Sequence, residues 1–145
     1  MATFDRWRRW LTVVAVGLTA FGLFMAVGSG TVLFEPLHRL IDPAFWQSPP
    51  DAAAVAFRAW AYGVWGATLA GWGITIGLLV HDAFARRERW SWQALAGATG
   101  AWFVLDTVVS VGHGVTANVV INVVILAAVG VPLLATRAAF GGRGA

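Results

Sequence analysis

Four runs of this chain, over residues 10–29, 51–80, 91–111 and 116–136, hold only three charged side chains between them: Asp51, Arg58 and Asp106. At 1.5 Å of rise per residue, each run is long enough as a helix to cross about 30 Å of hydrocarbon. In hydrocarbon every backbone N–H and C=O must be satisfied within the segment, so runs of this kind fold as helices. The pattern predicts an all-α membrane protein, four transmembrane helices in an antiparallel bundle, over one domain of 145 residues. Charged residues make up 12% of the chain, about half the share of a soluble domain.

The ten basic residues are all arginine. A calculated pI of 11.1 would suggest nucleic acid in a soluble protein with basic residues gathered on one face. Here the arginines lie in the short segments between apolar runs. With the N-terminus inside, the inner segments hold Arg6, Arg8, Arg9, Arg86, Arg87, Arg89, Arg137 and Arg143, and the outer ones only Arg39 and Arg58. That asymmetry is the positive-inside bias, and it places both termini in the cytoplasm without any nucleic-acid partner. In build the chain is similar to small bacterial membrane proteins, which implies the inner (plasma) membrane. No cysteine is present, which excludes disulfides, thiolate metal sites and cysteine nucleophiles.

In chain order, a basic N-terminus with Trp7 and Trp10 precedes the first run. The run is longer than the apolar region of a leader, and Gly28-Ser29-Gly30 is a poor cleavage site, so it reads as a retained span. Residues 31–50 form the one long connection. Glu35-Pro36 followed by Leu37, Leu40 and Ile41 predicts a short exoplasmic interfacial helix that Pro43 ends. His38, Arg39 and Asp42 would face water or headgroups there. Ser48-Pro49-Pro50-Asp51 fits a capping box with Ser48 at the N-cap, which starts the second helix near residue 49. On that helix Arg58, Tyr62, Trp65, Leu69, Trp72 and Ile76 share one stripe, and Gly66, Ala70, Gly73 and Gly77 another. Small residues at that spacing let backbones approach closely, either within the bundle or in a homo-oligomer. Trp90 and Trp92 mark an interface, Gly112-His113-Gly114 a tight turn, and Pro132 frees the carbonyl of Ala128. The glycine-rich tail over 137–145 is expected to be mobile.

The costliest residues to place in lipid lie near the turn between the last two spans. At 100° per residue, Thr99, Trp102, Asp106, Ser110 and His113 fall within an arc of about 80° on the third helix. Asn118, Asn122 and Ile125 share a face of the fourth. Asp106 lies about 10 Å from the outer surface, so the cluster belongs to the outer leaflet. Glu35, His38 and Arg39 are near enough in topology to form its lid.

Two functional readings follow. In the first, Asp106, Ser110, His113, Asn118 and Asn122 tie the last two helices together. With the aromatic wall of Trp102, Tyr62 and Trp65 they also receive a lipid-like or small amphipathic ligand. In the second, a membrane enzyme uses Asp106 or Glu35 with His113 or His38 as an acid–base pair on a lipid-like substrate. No spacing here is diagnostic of catalysis, so the first is preferred. A metal site would have too few nearby ligands, and no cofactor motif is present. Transport would need an oligomer, and the first run lacks the acid expected in small multidrug transporters.

Overall fold

The structure is a computed structural model and describes residues 2–141. Its elements are α1 (Ala2–Gly28), α2 (Glu35–Ile41), α3 (Ala52–His81), α4 (Arg89–Gly112) and α5 (Thr116–Thr136). Short 3-10 turns cover Val32–Phe34, Asp42–Ala44 and Arg137–Phe140. As the apolar runs predict, α1, α3, α4 and α5 are long and apolar enough to cross a membrane. The outer surface agrees with a lipid solvent. Val27 is 83% exposed, Leu134 70% and Leu105 68%, which would be costly to hydrate in so small a protein.

α1 and α3 make the most intimate pair. A Cβ added at Gly66 would stand 2.5 Å from Met25 Cβ and 2.6 Å from the Ala26 nitrogen. One at Gly73 would stand 2.5 Å from Thr19 Oγ1. Gly22 meets Gly66 and Ala70 from the other side, and Gly77 faces Ala15. The small-residue stripe is therefore filled by α1 of the same chain. This is the packing within the bundle that the spacing allows, and a homo-oligomer through Gly66, Ala70, Gly73 and Gly77 would have to displace α1.

α1 also packs on α5, and α5 on α4, whereas α3 and α4 meet at few positions. Two tryptophans stitch this arrangement at the backbone. Pro132 has no N–H to give the Ala128 carbonyl, and Trp10 Nε1 donates to that oxygen at 2.9 Å. Trp92 Nε1 donates to the Leu133 carbonyl at 2.8 Å. Pro132 is so placed that its freed carbonyl is taken up by another helix. Leu11, Ile76, Val80, Leu95, Val129 and Leu133 fill the core between the helices.

Of the tail, residues 137–141 are described (residues 142–145 lie outside the described residues), and Phe140 is buried among other rings. Its ring centroid lies 4.7 Å from Phe84 and 6.0 Å from Phe4. This cluster closes the end of the bundle where α1 starts and the α3–α4 turn returns. Two expectations need correction. The N-cap of α3 is Asp51 and not Ser48: Asp51 accepts from the Ala54 N–H at 2.8 Å. Pro50 disfavours helical geometry at the residue before it, so no helix can begin until Pro50 is passed. Finally, His38 and Asp42 do not face water. His38 is buried, and Asp42 pairs with Arg58.

Candidate functional site

α4 ends in a Schellman turn. Gly114 takes a φ of +70°, its N–H bonds the Val111 carbonyl, and the Val115 N–H bonds the Ser110 carbonyl. Only glycine adopts this conformation freely, and the turn sends the chain straight into α5. Residues four apart on each helix then face one another across a short gap.

On that seam Asp106 is the acceptor. Asn118 Nδ2 donates to Asp106 Oδ1 at 2.6 Å and Asn122 Nδ2 donates to the same oxygen at 2.9 Å. Asn118 uses its second amide hydrogen on Ser110 Oγ, at 2.8 Å. The Ser110 hydroxyl lies 2.7 Å from the Asp106 carbonyl oxygen and 3.1 Å from Oδ1, and it has one hydrogen to give. Asn122 also reaches Thr107 Oγ1 at 3.3 Å. Both amide donors to the Asp106 carboxyl fall on Oδ1, and the nearer acceptor for the Ser110 hydroxyl is the Asp106 main-chain carbonyl. Asp106 Oδ2 takes no hydrogen bond among the described residues.

Beside the seam is a cavity of about 640 Å³, in the gap that α3 and α4 leave between them. Its walls are Tyr62 and Trp65 of α3, Trp102, Asp106 and Ser110 of α4 and His113 just after it, with Asn118 of α5 at one end. Trp72 and Trp102, 5.2 Å apart, bridge α3 and α4. Trp65, Leu105 and Val109 line the cavity and remain exposed, so it is open sideways between α3 and α4. The walls are apolar except at the Asp106 end, the division expected of a site for a molecule with one polar end.

The structure thus gathers seven of the eight sequence-selected ligand residues around one cavity: Asp106, Ser110, His113, Asn118, Trp102, Tyr62 and Trp65. The eighth, Asn122, is 1% exposed and stands behind Asp106 as its support. Of the expected acid–base pairs, Glu35 and His38 stand 3.9 Å apart on α2, whereas Asp106 and His113 form neither a hydrogen bond nor an ion pair with each other. His113 Nδ1 lies 2.9 Å from the Val109 carbonyl and donates to it. Glu35 and His38 lie outside the cavity lining, which corrects their expected place as a lid over Asp106. Instead Ile41 and Phe45 close that side, with the Phe45 ring 6.0 Å from His113. Among the described residues no three His, Asp or Glu side chains converge as metal ligands would.

Reading by residue type missed the anchoring of α2. His38 lies under Phe34 and Tyr62, with ring centroids 5.9 Å and 5.6 Å away. Its pKa is held below the ordinary histidine value, first by burial and then by the Arg58 guanidinium, against the pull of Asp42 and Glu35. Asp42 and Arg58, both largely buried, form an ion pair that ties the segment after α2 to α3. Arg58 was the available signal: an arginine two turns inside a span requires a counter-charge. The apolar lining from Ile41, Phe45 and Val115 carries no such signal in the sequence.

Comparison with known protein families, curated proteins and solved structures finds no match for this chain.

Proposed function

We propose that this is an inner-membrane protein of bacterial type whose outer-leaflet cavity holds a lipid-like or small amphipathic ligand. The helices cross antiparallel with both termini in the cytoplasm, the orientation that the distribution of arginines favours. α2 then lies on the exoplasmic side, above the cavity. The ligand enters sideways between α3 and α4, packs its apolar part on Trp65 and Trp102, and gives a hydroxyl or amine hydrogen to Asp106 Oδ2. Asn118 and Asn122 fix the carboxyl group by holding its other oxygen.

The observation that carries this reading is the cavity itself: an aromatic-walled gap with a lateral opening and a single unengaged carboxyl oxygen at its polar end. Binding is favoured over catalysis because Asp106 and His113 are separately engaged and form no proton relay. The test is mass spectrometry of small molecules retained through purification, on the native chain and on Ala61→Trp, which fills the cavity from the α3 wall. The native protein should retain a discrete amphipath that Ala61→Trp, at similar melting temperature, loses. Identical retention by both proteins would refute the proposal.

A further inference from the structure

A second groove, remote from the Asp106 cavity, runs between the start of α1 and the second half of α5. It encloses about 720 Å³. Val13, Val124 and Val131 make its walls, and Val124 to Val131 span about 10 Å of helix axis. Trp10 lies along it, fixed by its bond to the carbonyl that Pro132 leaves free. Arg6 and Arg9 stand at one end. Arg8, between them in sequence, lies outside the groove and faces Asp5 at 3.9 Å. Arg6 lies 5.4 Å over the Trp7 ring, and neither Arg6 nor Arg9 meets a carboxylate among the described residues.

We infer that this groove binds an anionic phospholipid, its phosphate between Arg6 and Arg9 and an acyl chain along the valines. The occupant is chosen by charge and by shape. Two guanidiniums without counter-charges ask for an anion, and guanidinium pairs match phosphate geometry. The apolar channel running from them asks for a chain attached to that anion. A free anion leaves the channel empty, and a neutral lipid leaves the arginines unanswered. Cationic pockets between transmembrane helices at the cytoplasmic surface are suited to acidic headgroups, and the orientation proposed above puts this groove there.

The experiment is native mass spectrometry of the full chain in detergent, titrated with phosphatidylglycerol and with phosphatidylcholine of the same acyl chains. The native protein should keep phosphatidylglycerol in preference. The Arg6→Gln/Arg9→Gln double variant should lose roughly thirtyfold in that preference, at unchanged melting temperature in lipid-free detergent. Arg8→Gln removes the same kind of charge outside the groove and should leave the preference intact. Val124→Trp, which blocks the channel, should weaken retention of the acidic lipid with both arginines present. Four results would each overturn the assignment: equal retention of the two lipids, a loss from Arg8→Gln as large as that from the double variant, displacement by millimolar inorganic phosphate, or a dimer that Val124→Trp dissociates.

Discussion

Asp106 gathers its partners on one oxygen, and the consequences of altering them follow from what each leaves behind. Asn122 is buried and reaches both Asp106 and Thr107 across the α4–α5 seam. Interhelical hydrogen bonds in membranes contribute about 0.6 kcal/mol on average and up to about 1.7 kcal/mol. Asn122→Ala should therefore destabilise by about 1–2 kcal/mol, read from thermal or denaturant unfolding in detergent. Asn122→Asp should cost more, since it sets a second carboxyl against Oδ1. His38 gives a pH dependence with a definite sign. Burial and Arg58 favour the neutral ring in the folded protein, so as pH falls the unfolded chain takes up a proton first. Stability is full above the ordinary histidine value and declines as pH drops below it toward the lower folded value. The melting temperature should fall from about pH 7.5 to about pH 5.5, and His38→Gln should flatten that decline.

Among the elements, α5 shows how a local defect becomes a tertiary bond. Pro132 withholds a hydrogen from Ala128, and Trp10 of α1 supplies it. Trp10→Phe should cost about 1 kcal/mol in the native background. In Pro132→Ala the restored backbone N–H answers the same carbonyl, so Trp10→Phe should then cost measurably less, a coupling that a double-mutant cycle reads directly. The periodicity of residue types made these long helices legible, because runs of 20 residues or more with at most two charges have one stable form in lipid. It also put Asp106, Ser110, Asn118 and Asn122 on facing stripes. It could not show which helix fills the glycine stripe of α3, since Gly66 and Gly73 fit any close neighbour equally well. The short elements were legible only in part. Pro36 marks α2, but the burial of His38 depends on Phe34 and Tyr62, which come from both sides of it in sequence. The burial of Phe140 depends on its meeting Phe84 and Phe4, again a matter of tertiary contact.

At the scale of the whole molecule, the helices divide the work. α1, with α3 on one side and α5 on the other, makes the packed scaffold, while the parting of α3 from α4 leaves the Asp106 cavity. The two ends differ in chemistry. One is closed by the rings of Phe4, Phe84 and Phe140, beside the arginine-rich α3–α4 turn where Arg86 pairs with Asp82 and Glu88. The other carries α2, the Asp42–Arg58 pair and the His113 end of the cavity. The functional proposal requires this second end to face out of the cell. The absence of cysteine makes the question accessible to single-cysteine variants and a membrane-impermeant maleimide applied to intact cells. His113→Cys should label from outside and Arg87→Cys only after the membrane is permeabilised. Labelling of Arg87→Cys in intact cells, with His113→Cys silent until permeabilisation, would put the cavity on the cytoplasmic side and contradict the account.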